Sequence, residues 1–350
     1  MLFENKDNLL KALPGGEIPS ALRDGAKVVV TGCAGFIGSH LTEALLLLGC
    51  KVTGVDCITD YYDTNMKREN LSGFITHPSF TFIEEDLCEI DCVGLLAGSS
   101  ACFHLAAQAG VRASWGSFFD EYLQRNILAT QRLLEASTSD KVAPEFKRFV
   151  YSSSSSIYGD RDDLPVSEAA LPGPHSPYGV TKLAAEHLCC LYSDNYDVPT
   201  SSLRYFTVYG PRQRPDMAFR KFIEAALDGK PWTIFGDGSQ TRDFTFVADV
   251  VIANILATSL AQPKAVMNVG GGSRVVLSEV LLILQKLIAE AAPGVEPVIE
   301  YLPVEKGDVR DTWSDPTKID ELLGFKPAIQ LPDGLAQQVQ WVVNRRKNLE

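Results

Sequence analysis

No run of apolar residues in this chain is long enough to span a bilayer, so no membrane-embedded segment is predicted. The first 22 residues lack the apolar core of a secretory signal, because Glu4, Asp7 and Glu17 interrupt them. An excess of positive charge is missing too. Thirty-two Lys and Arg stand against 44 Asp and Glu, for a net charge of −12. The surface as a whole therefore has no electrostatic reason to hold nucleic acid or an anionic membrane. Eight cysteines form no C-x-x-C pair and no Cys/His spacing of a zinc site; Cys189 and Cys190 are adjacent, and Cys88 and Cys92 sit four apart. They read as reduced thiols used for packing, with no metal site, and the expected location is the cytoplasm.

What the chain does have begins with VVVTGCAGFIGSHLTEALLLLG, from Val28 to Gly49. Val28, Val29 and Val30 read as the end of a buried parallel strand. Leu41, Ala44, Leu45 and Leu48 fall at helical spacing beyond a T-G-x-x-G-x-x-G turn. In a dinucleotide-binding unit Gly32 permits the tight turn, Gly35 lets backbone approach a pyrophosphate, and Gly38 lets helix pack on strand. The helix N-terminus, with Phe36 and Ile37, then offers N–H groups to phosphate. Asp56 closes the next strand, Val52 to Val55, where a carboxylate accepts from ribose hydroxyls and repels a 2′-phosphate. The expected cofactor is NAD.

The 350 residues suit an α/β protein with a doubly wound parallel (Rossmann) sheet and a smaller C-terminal lobe. Residues 1–25 are expected to be an extension in which Pro14, Gly15 and Gly16 break any helix. Residues 26–200 are expected to form the NAD-binding domain. Residues 201–350 would mainly bind substrate, with some elements returning to the sheet. Asp86 and Leu87 follow the short strand Phe80 to Ile83, at a place suited to adenine. The strand Cys102 to Ala107 brings Leu105, Ala106 and Ala107 to the cofactor's side, and Arg112 beyond it is a candidate for a substrate phosphate or carboxylate. A helix is expected from Asp120 to Glu135 and a strand from Arg148 to Tyr151. The serine run Ser152 to Ser156 is bounded by FVY and IYG, and reads as a strand end pointing hydroxyls into a cleft. Arg212, Arg214, Arg220, Lys221, Arg242 and Arg310 are expected to supply the cleft with the positive charge that the whole chain lacks.

Tyr178 and Lys182 are four apart, one turn along the same helix face. Tyrosine has an unperturbed pKa near 10 and is a poor base at neutral pH. A neighbouring ammonium, with an oxidised nicotinamide, stabilises the phenolate. Tyr178 then takes a proton from a substrate hydroxyl, and a serine of the Ser152–Ser156 run orients the same oxygen.

From about Lys27 to Lys326 the sequence resembles the extended short-chain dehydrogenase/reductases that act on nucleotide sugars. The likeness rests on TGCAGFIGSH, HLAAQAGVR, YSSSSSIYG, SPYGVTKLAAEHL, LRYFTVYGPRQRPDMAF, GDGSQTRDFTFVADV and KGDVRDTWSD. It implies Ser154 as the catalytic hydroxyl, with Ser153 and Ser155 open as alternatives or substrate contacts. Tyr178 is then the base, and Lys182 its partner and a ligand of the nicotinamide ribose. Gly32, Gly35, Phe36, Ile37, Gly38, Asp56, Asp86, Leu87, Leu105, Ala106 and Ala107 fall on cofactor positions. Arg242 is assigned to the nucleotide diphosphate, and Asp308 and Arg310 to its ribose and phosphates. The family also implies a homodimer built on the helices near 120–135 and 178–194.

Dehydratases of this family carry T-D-E before V-Y-G, because eliminating water needs an acid and a base. Here Ser154, Ser155 and Ser156 stand there, and the glutamate of the related decarboxylases is missing as well. What remains is 4-epimerisation of a UDP-sugar. Thr207 stands where UDP-galactose 4-epimerases have asparagine. RYFTVYGPRQRPDMAF with DYYDTNMKREN looks most like the branch acting on UDP-glucuronate. A 4-keto glucuronate is a β-keto acid, so its carboxylate must be held still, and Arg214 is suited to do so bidentately, helped by Arg112 or the serine hydroxyls; contact with the diphosphate or with an acid of its own loop stays open for Arg214. The alternatives are a UDP-glucose or UDP-N-acetylglucosamine 4-epimerase and, in a different class, a non-catalytic NAD-binding regulator.

Overall fold

The computed structural model describes residues 2–303 and 309–348. The chain opens with helix α1 (Lys6–Ala12), capped by the Asn5 side chain on the Asn8 amide. Pro14–Gly16 does end this helix, as a 3₁₀ turn with Gly15 at φ 69°. The segment nonetheless packs onto the domain: Leu9, Leu13 and Leu22 are buried in the main core. Four leucine and alanine side chains in this stretch give it an apolar face that its breakers do not erase.

Alternation then sets in with β1 (Lys27–Thr31), α2 (Phe36–Leu48), β2 (Lys51–Val55), α3 (Thr64–Ser72), β3 (Phe80–Ile83), α4 (Cys92–Leu96) and β4 (Ala101–His104). The next helical stretch is α5 (Phe119–Tyr122), a π-turn over Leu123–Leu128 and α6 (Ala129–Ser137). Next come β5 (Arg148–Ser154) and α7 (Pro177–Tyr196), the latter started by Ser176, whose hydroxyl accepts from the Gly179 amide, with Pro177 in the first turn. β6 (Thr200–Tyr205), β7 (Thr207–Tyr209), α8 (Ala218–Leu227), β8 (Trp232–Phe235), β9 (Thr241–Phe246), α9 (Val247–Ala257), β10 (Lys264–Val269), β11 (Arg274–Val276), α10 (Leu277–Ala291), β12 (Ile299–Leu302), α11 (Thr317–Leu323) and α12 (Leu331–Lys347) complete it.

Seven strands form one parallel sheet in the order β10-β6-β5-β4-β1-β2-β3. Helices cover both faces, which is why β4 and β6 are buried at every position. The strand order reverses between β1 and β4. In open α/β sheets a ligand crevice lies beyond the carboxyl ends of the strands at that point. β10 and α9, drawn from the later part of the chain, sit on this sheet. β7, β9 and β11 form a separate three-stranded sheet, and β8 pairs with β12.

Candidate active site

The turn after β1 is built around two glycines. Gly32 has φ +73°, and a Cβ there would lie 2.7 Å from the Ala106 nitrogen. A Cβ on Gly38 would lie 2.1 Å from the Gly32 carbonyl oxygen. Only hydrogen fits either place, and the result brings β1, the turn and α2 together at the strand switch. Gly35 caps α2 without a side-chain bond, so its amino end faces the crevice uncapped. Gly32, Gly35, Phe36, Ile37, Gly38, Asp56, Asp86, Leu87, Leu105, Ala106, Ala107, Tyr178 and Lys182 all line one cavity of about 220 Å³. Asp56 accepts from the Ala34 amide at 3.1 Å and the Ile58 amide at 2.9 Å. Burial raises its pKa against the pull of Lys67 and those amides. The cradle, the uncapped helix and a carboxylate at the end of β2 suit a dinucleotide.

The five serines part company. Ser152 Oγ lies 3.0 Å from the Tyr205 hydroxyl, and Ser153 Oγ donates to Glu186 Oε2 at 2.6 Å. Ser154 ends β5 and accepts from the Ser156 amide at 3.1 Å, and its hydroxyl is near enough to the Tyr178 phenol to lower that group's pKa. Ser155 begins a 3₁₀ turn and lines neither described cavity. The Ser153 hydroxyl is thus engaged by the buried carboxylate that faces it, while the residue still lines the first cavity beside Ser152. Tyr178 and Lys182 share one face of α7 as their spacing requires. Burial raises the pKa of Tyr178, while the Arg214 charge and the Ser154 hydroxyl lower it. The Lys182 ammonium lies over the Tyr151 ring, 4.4 Å from the centroid, and burial lowers its pKa to about 7.

A second cavity of about 670 Å³ is lined by Arg112, Thr207, Arg214, Asp216, Lys221, Arg242 and the aromatics Phe219, Phe222, Trp232, Phe235 and Phe244. Tyr61 and Arg214 line both cavities and therefore mark where they meet. Arg112 stacks its guanidinium over Phe235 at 4.3 Å. Arg242 donates to the carbonyls of Thr241 at 2.9 Å, Arg310 at 2.6 Å and Val309. Arg310 is 75% exposed, donates its amide to Asp160 and lines neither cavity. Asp308 lies outside the described residues.

Besides Arg310, two more arginines expected at the cleft are elsewhere. Arg212 reaches Glu43 of α2 at 2.7 Å, and Arg220 bonds Glu224 at 2.8 Å and the Gln213 carbonyl at 2.7 Å. Each is recruited by a partner inside the fold. In the turn Gly210–Asp216 the His40 ring meets the Pro211 carbonyl at 2.9 Å, and Gln338 donates to Gln213 at 2.7 Å. Arg214 is left to face the crevice.

Sequence reading missed Asn126. The expected regular helix contains a π-turn, which brings the Asn126 side chain to both backbone groups of Gln108, at 2.7 and 3.1 Å, and to Thr181 at 2.9 Å. Asn126 thereby joins the loop after β4 to the helix of Tyr178. The interruption has no composition signature. Tyr61 was likewise passed over, although the aromatic pair in DYYD was visible.

The family model "NAD dependent epimerase/dehydratase family" matches residues 28–270. An uncharacterized UDP-glucose epimerase of Bacillus subtilis is 41% identical over 320 residues, covering 90% of this chain and 98% of the relative. A UDP-glucuronate 4-epimerase of Thermodesulfobacterium geofontis is 37% identical, covering 92% and 97%. The crystal structure of the UDP-glucuronic acid 4-epimerase of Bacillus cereus with UDP-glucuronic acid and NAD superposes with a TM-score of 0.84. It shares 40% identity and covers 93% of this chain and 100% of that one. Together with the glycine cradle and the Ser154–Tyr178–Lys182 cluster, these matches show that the chain belongs to the NAD-dependent epimerase/dehydratase family.

Proposed function

We propose that this protein is a UDP-sugar 4-epimerase that interconverts UDP-glucuronate and UDP-galacturonate with bound NAD. The observation that carries this reading is the place of Arg214, which lines both cavities and acts electrostatically on Tyr178. A carboxylate on the sugar held there lies beside the base. NAD, when bound, serves as the hydride acceptor and donor at C4. Tyr178 takes the O4 proton and returns it after the sugar has turned its other face to the cofactor. Ser154 orients O4, and Lys182 bonds the nicotinamide ribose and balances charge near the phenolate. Asp56 receives the adenosine ribose, and Gly35 with the start of α2 receives the pyrophosphate. The large second cavity takes the UDP portion, with Arg112, Thr207 and Arg242 at its polar contacts; Asp308 and Arg310 are assigned to the nucleotide ribose and phosphates. No carboxyl group stands at Ser154, Ser155 or Ser156, which supports epimerisation over dehydration.

The reading includes a homodimer. Leu123 and Leu128 are exposed on the π-turn between α5 and α6, Trp115 and Phe118 just before α5, and Val180 and Leu191 on α7, apolar surface of the kind that pairs with its own copy. It also places the enzyme in the cytoplasm, in keeping with eight unpaired thiols. Purified protein with NAD is incubated separately with UDP-glucuronate, UDP-glucose and UDP-N-acetylglucosamine and followed by NMR. UDP-galacturonate formed without loss of CO₂ supports the proposal. Turnover of a neutral sugar alone overturns it in favour of the activity for which the B. subtilis relative is named.

A further inference from the structure

Arg214 does not enter the crevice unattended. Its Nε donates to Asp216 Oδ1 and its Nη2 to Asp216 Oδ2, both at 2.9 Å, so the side edge of the guanidinium is fully forked. The backbone makes this possible. The Met217 amide donates to the Arg214 carbonyl at 3.1 Å, closing a four-residue turn with Pro215 at its second position. That turn brings the side chains of Arg214 and Asp216 together. The Tyr61 hydroxyl, from the loop after β2, reaches Asp216 Oδ2 at 3.4 Å. Asp216, 37% exposed against 22% for Arg214, lines the second cavity beside the guanidinium. Among the described residues, Nη1 of Arg214 donates to nothing, and the end-on edge it shares with Nη2 is open.

We propose that Asp216 is a specificity-determining positioning residue, which holds the Arg214 guanidinium by its side edge so that the end edge receives the sugar carboxylate. The proposal rests on the UDP-glucuronate reading given above. A guanidinium offers two forked edges, and fixing one sets the plane and direction of the other. The plane matters because the 4-keto intermediate is a β-keto acid. When its carboxylate stands perpendicular to the C4 carbonyl, the C5–C6 bond breaks. Its electron pair forms the C4 enolate, CO₂ leaves, and solvent protonates C5. A carboxylate held end-on by an immobile fork is kept from that geometry. Asp216 touches neither the base nor C4; it acts through Arg214.

The test uses the full-length wild-type protein, Asp216→Asn and Asp216→Ala, each loaded with NAD. Calorimetry gives dissociation constants for UDP-glucuronate and UDP-glucose, and carboxyl-labelled UDP-glucuronate gives the fraction of turnovers that release CO₂. We expect the ratio of the two dissociation constants to shift at least tenfold against the acid sugar in both variants. UDP-glucose affinity stays within twofold, and the CO₂ fraction rises with the ratio. A purely structural defect moves both sugars alike and leaves the ratio unchanged. The ratio needs no turnover, so a slow variant is still informative. If wild type epimerises UDP-glucuronate and both variants keep its ratio within twofold, the role of Asp216 falls alone. Wild type that fails to act on UDP-glucuronate overturns the functional reading and this proposal with it.

Discussion

Ser153 and Glu186 meet in the interior: the Ser153 hydroxyl donates to a carboxylate that also receives two bonds from Arg204, at 2.6 and 3.0 Å. Arg204 continues to the Tyr158 hydroxyl at 2.7 Å, which donates to Asn268 at 2.7 Å. Neighbouring serines thus do different work. Ser153 ties β5 to α7 and to β6, whereas Ser154 faces Tyr178. Ser153→Ala removes a bond to a buried charged group and is expected to cost about 1.5–3 kcal/mol of stability. Ser154→Ala removes only the capping bond to the Ser156 amide, at a cost of about 0.5–2 kcal/mol, and is expected to lower kcat by roughly 10²-fold or more. Urea unfolding and steady-state kinetics on both variants check this. Equal kinetic losses in the two would return Ser153 to the substrate.

Tyr178 is the group whose removal should separate chemistry from binding. Tyr178→Phe deletes the proton acceptor but keeps the ring that packs edge-on against Tyr122. Epimerisation is expected to fall by roughly 10²–10⁴-fold, with NAD content unchanged. Turnover by NMR and nucleotide content by absorbance decide it, and undiminished turnover would remove Tyr178 as the base.

The turn between β1 and α2 is a steric statement. With the Gly32 carbonyl 2.1 Å from the place of a Cβ, Gly38→Ala forces α2 away from the strand. Loss of bound NAD is expected together with a lowered melting temperature, since overpacking costs about 1–3 kcal/mol. Retained NAD at wild-type stability would show that the helix shifts freely.

Why these parts were legible and others were not follows from how each is encoded. A glycine turn between a β-branched strand and a helix is local, as is a Tyr and Lys one turn apart, and both stand where their spacing puts them. The parallel sheet follows from alternation. The arginines were a different matter. Arg212, Arg214 and Arg220 look alike in sequence, yet Glu43, Asp216 and Glu224 draw them to three places. Two of those acids are also local, but only Asp216 points toward the crevice, and that depends on tertiary packing around Gln213 and Gln338. The π-turn at Asn126 depends on the Gln108 backbone, 18 residues earlier, and no helical periodicity announces it.

Arg214→Lys keeps the charge but loses the planar fork. It is expected to weaken UDP-glucuronate by roughly 10–100-fold, matching the loss of charge-assisted bonds worth about 1.5–3 kcal/mol. UDP-glucose should change far less. Calorimetry with both nucleotide sugars checks the contrast, and equal losses would assign Arg214 to the shared diphosphate.

His104 gives the fold a pH dependence. Its ring lies between the hydroxyls of Thr31, at 2.7 Å from Nδ1, and Thr130, at 3.0 Å from Nε2. Thr130 spends its own proton on the Asn126 carbonyl, so it accepts from Nε2–H. Thr31 accepts from the Ala106 amide, so its hydroxyl donates to Nδ1. These partners fit the neutral ring protonated on Nε2. Burial first, then the Lys182 charge, lowers the pKa to about 3. The unfolded chain protonates this histidine near 6.5 while the folded one does not. Between those values the unfolded state therefore binds one more proton, and stability falls as pH falls, by up to about 1.4 kcal/mol per pH unit for this one group. His40, which burial also lowers, adds a slope of the same sign. His104→Asn removes one of the two titrations. Its unfolding free energy, measured in urea at pH 7.5, 6 and 5, is expected to be lower than wild type at pH 7.5 and to decline less steeply toward pH 5. An unchanged slope would mean that His104 is protonated in the folded protein, and the Thr31 hydroxyl would then have to accept from Nδ1 instead of donating to it.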